Sequence, residues 1–115
     1  MEKTALENPA GQTFDGGVTE EQIGKWKQRY GKIVRIDVVD APDLHIGYFH
    51  RPTLETLKAV IKMAKTDEVG AGEVLMKNCW LGGSEQLATD ALLFAETQKQ
   101  LGTMLQSCQS SLKNL

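Results

Sequence analysis

Four side chains in this sequence are natural carriers of nucleophilic or metal chemistry near neutral pH: His45, His50, Cys79 and Cys108. His45 and His50 lie in one stretch with strand periodicity, five positions apart. An odd spacing on a strand points them to opposite faces, so they cannot easily share a metal within that strand. Asp40 and Asp43 flank Ala41-Pro42, where aspartate is expected for turn formation. A hydrolytic dyad of His50 with Asp43 therefore has little beyond proximity behind it. Each cysteine falls on an apolar helical stripe, where a free thiol behaves as a small hydrophobe. A reactive thiol needs an electropositive, partly exposed place instead. The glycines of Gly70-Ala71-Gly72 and Leu81-Gly82-Gly83-Ser84 fit no phosphate loop, since no Gly-Lys-Thr/Ser follows. No catalytic, cofactor-binding or metal-binding set is expected, and the chain reads as a binding or assembly protein rather than an enzyme.

Size and charge narrow the partners. The chain has 115 residues and a net charge of −2. Nucleic-acid binders are usually basic on balance, and here the aromatic residues do not interleave with basic ones. Lys58, Lys62 and Lys65 share a helix face, which reads as a solvated surface opposite the leucines. No apolar run approaches a membrane span. Cys79 and Cys108 match no metal or redox spacing, and no secretory leader is recognisable. A reduced, soluble, cytoplasmic protein is expected.

The elements that would position these residues centre on Leu44 to Leu57. Leu44, Ile46 and Tyr48 alternate with His45, Gly47 and Phe49, and Arg51-Pro52 then turns the strand into a helix. Residues 1–18 read as a flexible arm, with Phe14 a candidate anchor. Thr19 to Tyr30 is a helix, with a capping box from Thr19 and Gln22 and a C-cap at Gly31. Its apolar stripe is Ile23, Trp26 and Tyr30. Lys32 to Val39 is a strand, joined by residues 40–43 to the next in an antiparallel hairpin. No third strand is evident, so an edge should be open to pairing. Pro52 to Lys65 is the second helix, with Leu54, Leu57, Ile61 and Ala64 as its apolar stripe. The third, capped by Asp67, runs to about Trp80, and Leu81-Gly82-Gly83-Ser84 breaks it. Trp80 should be largely buried there. Gly70 and Gly72 suggest close approach of another backbone. The last helix opens at Thr89-Asp90 and reaches Leu112 or beyond, about 36 Å at the usual rise. The fold class is thus α+β: an N-terminal helix, a β-hairpin, then three helices ending in a long one, with residues 19–115 as a single domain.

Three stretches then resemble a known family. They are Tyr48-Phe49-x-Arg51-Pro52-Thr53-x-Glu55, Ala71-x-Glu73-x-Leu75-x-x-Asn78-Cys79-Trp80-Leu81-x-Gly83, and a closing Leu112-Lys113-x-Leu115. Across Glu20 to Leu115 the chain is similar to phage and prophage tail assembly chaperone-type proteins. The pattern departs at Ser84, where a charged residue would be usual, and the arm is unmatched. The resemblance implies a non-enzymatic role in tail morphogenesis, with no cofactor. The partner would be a protein client, the tape-measure or tail-tube protein, held soluble by apolar contacts. Candidate partner-binding residues are Tyr48, Phe49, Trp80, Leu101, Leu105 and Leu112. A homo-oligomer is compatible with the long last helix. The alternative is a small intracellular regulator or adaptor that dimerises through that helix.

Overall fold

A computed structural model describes residues 11–115. Its centre is the expected hairpin. Strands β2 (Ile33–Asp40) and β3 (Asp43–His50) pair antiparallel in unbroken register from Ile33 opposite His50 to Asp40 opposite Asp43. Val34, Ile36 and Val38 lie opposite Phe49, Gly47 and His45, so these six share one face. That face meets the helices. Ile36, Val38 and Phe49 join one core with Val60, Leu75, Met76, Cys79, Leu87, Leu93 and Leu101.

Two further strands occupy the other edge of β3. The two-residue β1 (Thr13–Phe14) runs parallel to its start, and β4 (Trp80–Gly83) runs antiparallel to its end. Both correct the sequence reading. Residues 13–14 belong to the sheet, not to an arm, while residues 1–10 of the expected arm lie outside the described residues. Leu81-Gly82-Gly83 is strand, not helix breaker, and Trp80 opens it. Among the described residues the sheet therefore has four strands, with β2 at one edge.

Helix α1 (Glu20–Tyr30) covers the opposite face, with Trp26 on Tyr48 and Tyr30 stacked on His50 at 4.4 Å between ring centroids. Its capping box is formed, with Gln22 N–H donating to Thr19 Oγ1 and Thr19 N–H to Gln22 Oε1. Helix α2 (Leu54–Ala64) is capped by Thr53, and α3 (Glu68–Cys79) by Asp67, whose Oδ1 accepts from Gly70 N–H. The close neighbour at Gly72 is the Gln98 side chain, which donates to the Gly72 carbonyl, rather than a second backbone. A short helix, α4 (Gln86–Thr89), precedes α5 (Ala91–Leu105), the long C-terminal helix, capped by Asp90 on Leu92 and Leu93 N–H.

The domain is α+β, but α5 stops at Leu105, short of the expected Leu112. The serine-rich stretch after it competes for backbone groups: Ser107 Oγ donates to the Met104 carbonyl. The tail also buries nothing that would offset helix formation, since Leu112 is exposed. The stripe expected on α2 is displaced as well. Val60 is the buried residue of that helix, whereas Leu54 and Ile61 are 68% and 55% exposed.

Two glycines should respond oppositely to alanine. Gly83 has φ +133, and a Cβ there would run into the Ile46 carbonyl. Gly83→Ala should lower the unfolding free energy by about 1–3 kcal/mol through strain. Gly102 lies inside α5 with open space around a Cβ. Gly102→Ala should raise it by about 0.5–1 kcal/mol. Urea denaturation of both variants checks the pair.

Candidate functional site

The reactive side chains do not converge on an open site. His45 and His50 face opposite sides of β3, as their spacing requires. His45 is 2% exposed, with its ring stacked 4.8 Å from Phe14 and its Nδ1 2.7 Å from Ser84 Oγ. Ser84 is itself buried. A serine within hydrogen-bond reach of a histidine is half of a nucleophilic arrangement, and Ser84 lines an open cleft of about 580 Å³ with Phe14, Gly83 and Glu85, but at 4% exposed it offers a substrate little approach. The bond instead satisfies two buried polar groups and ties the chain after β4 to β3. Sequence reading did not pair these residues, because β4 itself was not visible in it. His50 packs on Tyr30, and its Nδ1 lies 2.6 Å from the Arg51 carbonyl.

Cys79 is fully buried, and burial pushes its thiol up from 9.0 to about 11. That is the reverse of activation. Cys108 was expected on an apolar stripe but lies beyond α5, exposed, with Sγ 3.6 Å from Arg51 Nη2. Among the described residues no group of three His, Cys, Asp or Glu could hold a metal ion. No described helix is long and apolar enough to cross a membrane.

What the surface does offer is apolar area. An open cleft of about 460 Å³ lies between α3, β4 and α5. Met76, Trp80, Ala88 and Phe94 give it an apolar lining, and Glu73, Lys77 and Glu85 add charge. Trp80 is half-buried there, its ring edge-on to Phe49 at 5.4 Å. The cleft can take one or two side chains of a partner, being near the small end of ligand pockets. A second apolar surface is the row on α2, where Leu54 and Ile61 are two helical turns apart on one side.

The six nominated residues divide sharply. Phe49 and Leu101 are 0% exposed and Tyr48 is buried, so these three hold the fold and are not open to a partner. Trp80 lines the cleft. Leu105 is exposed at the end of α5, and Leu112 is exposed in the tail. Phe94 and the α2 row were missed. Leu54 and Ile61 had been read as part of an apolar helix stripe, and periodicity does not say whether a stripe is covered.

No protein-family model matches the sequence, and no curated protein matches it. Among solved structures, an uncharacterised protein from Bacillus stearothermophilus is similar, with a TM-score of 0.54 at 21% identity. The match covers 79% of this chain and 99% of that one. At that identity the likeness concerns the fold alone.

Three outcomes follow from the site. Native alkylation with iodoacetamide should label Cys108 and spare Cys79, as read by peptide mass spectrometry. The raised Cys79 value means that folding holds the proton more tightly. Its contribution to stability is complete below about pH 9 and should fall as pH rises towards 11. Trp80→Ala should cost roughly 2–3 kcal/mol, less than a fully buried tryptophan, because part of the side chain already meets solvent. Chemical denaturation checks this.

Proposed function

We propose that this chain is a non-enzymatic tail assembly chaperone of a phage or prophage, binding a helical tape-measure-type client and keeping it soluble until tail-tube subunits polymerise around it. The observation that carries the reading is the apolar row on α2. Leu54 is 68% and Ile61 55% exposed, on a helix that buries only Val60 fully. Leu54 and Ile61, two turns apart with Lys58 between them on the same side, offer an amphipathic client helix apolar contacts beside a charge. Covering a leucine or isoleucine contributes about 1.5–3 kcal/mol each. The cleft at Trp80 and Phe94 would receive one further client side chain. The resemblance of Tyr48 to Glu55, Ala71 to Gly83 and Leu112 to Leu115 supports the same reading. Binding of this kind needs apolar area and no nucleotide or metal.

Co-expression with the tape-measure candidate from the neighbouring genes tests the proposal. The client should be soluble with the wild-type chain, insoluble without it, and elute with it on a sizing column. Leu54→Glu with Ile61→Glu should abolish the complex while leaving the thermal midpoint near wild type, since both side chains are already in solvent. A client equally soluble alone, or a complex indifferent to these substitutions, would remove the basis of the reading.

A further inference from the structure

Among the described residues, β2 pairs with β3 on one side and with no strand on the other. Natural edge strands are commonly blunted by brevity, a proline or a bulge. β2 has none of these: it runs for eight residues, in unbroken register and without proline. Its sequence carries a different signal. Lys32-Ile33-Val34-Arg35 precedes Ile36, and Asp37-Val38-Val39-Asp40 follows it. Laid antiparallel on a second copy with Ile36 opposite Ile36, the strand complements itself. Arg35 faces Asp37, Lys32 faces Asp40, Val34 faces Val38 and Ile33 faces Val39. By the two-fold symmetry every pair off the axis occurs twice, as an isologous interface requires.

We propose that the free edge of β2 is a homodimer interface, in which two copies pair antiparallel about a two-fold axis at Ile36 and join their sheets. The charges select this register over its neighbours. A two-residue shift one way sets Asp37 against Asp37, and a shift the other way sets Arg35 against Arg35, both unfavourable across a ladder. A one-residue slip would put the apolar set of one copy opposite the wrong face of the other. Within one chain Arg35 already bonds Asp37, Nε to Oδ1 at 2.7 Å and Nη2 to Oδ2 at 2.9 Å. That pair holds both side chains on the face they would share with the partner, ready to interleave as two arginines and two aspartates. A shallow cleft of about 430 Å³, lined by Arg35, Ile36, Asp37 and Gln100, marks the same point on the edge. The interface uses backbone groups of β2 and none of the α2 surface assigned to a client, so either reading can fail without the other.

Sedimentation equilibrium of the full chain tests this, with single charge reversals. Wild type should be a dimer that dissociates on dilution. Arg35→Asp leaves only aspartates facing one another across the axis at these positions, and Asp37→Arg leaves only arginines. Each alone should weaken the dimer roughly tenfold or more, two like-charge pairs having replaced two opposite ones. An equimolar mixture of the two variants should regain dimers, because both cross-axis pairs become aspartate with arginine. Rescue in the mixture cannot come from within a chain, since each variant keeps its own like-charge pair. If either variant fails to fold by circular dichroism, Lys32→Asp and Asp40→Lys serve identically at the outer pair. A wild type that stays monomeric, a dimer that no reversal weakens, or a mixture no tighter than its components overturns the proposal.

Discussion

The rest of the structure depends on burying one strand completely. From His45 to Phe49 every residue of β3 is buried. Such a strand has to lose water from both faces and satisfy its backbone on both edges at once, because an unpaired buried amide or carbonyl costs about 1–3 kcal/mol. The other elements answer that demand in turn. β2 takes one edge along the whole strand, and β1 and β4 divide the other. One face is taken by the core beneath α2, α3, α4 and α5, and the second by Trp26 and Tyr30 of α1. The one imidazole inside, His45, is matched to the one buried serine at the end of β4.

This explains which parts of the fold were legible. Caps are local chemistry, so Thr19 with Gln22 and Asp67 could be read from residues three apart, and the hairpin followed from alternation on either side of Ala41-Pro42. β1 and β4 have no such local signature. Thr13-Phe14 is too short to show a period, and Trp80-Leu81-Gly82-Gly83 has the composition of a loop. These segments are strands because β3 offers an edge, a tertiary cause that propensity does not contain. The end of α5 was overrun for the opposite reason. Cys108 and Leu112 continue the helical spacing of Met104 past Leu105, but among the described residues nothing covers them to reward it.

The same limit governed the candidate surface. Leu54, Ile61 and Leu101 all obey helical periodicity, yet Leu101 is fully buried while the other two are mostly in solvent. A hydrophobic residue contributes to a core or to an interface by the same physical effect, so its sequence pattern cannot tell the two apart. Placement can. α2 packs chiefly on α3 and reaches the core through Val60, which among the described residues leaves its outer side without a layer above it. Tyr48 and Phe49, nominated as contacts, sit on the strand that everything covers.

Two kinds of surface remain uncovered, and they differ in what they ask of a partner. The α2 row offers side-chain area alone, which is non-directional and tolerates many helical sequences. The β2 edge offers backbone hydrogen bonds whose register is set by alternating charge, a directional demand that few sequences meet. The strand meets it itself. A chain of this size buries only about two-thirds of the surface that its unfolded form exposes, so some apolar area must stay outside. In this fold the permissive part of that area lies on a helix away from β2, and the selective part lies on the sheet. Because α5 rather than α2 flanks β2, occupation of one surface leaves the other open. The two proposed contacts, self-pairing of β2 and capture of an apolar helix on α2, would therefore be separable.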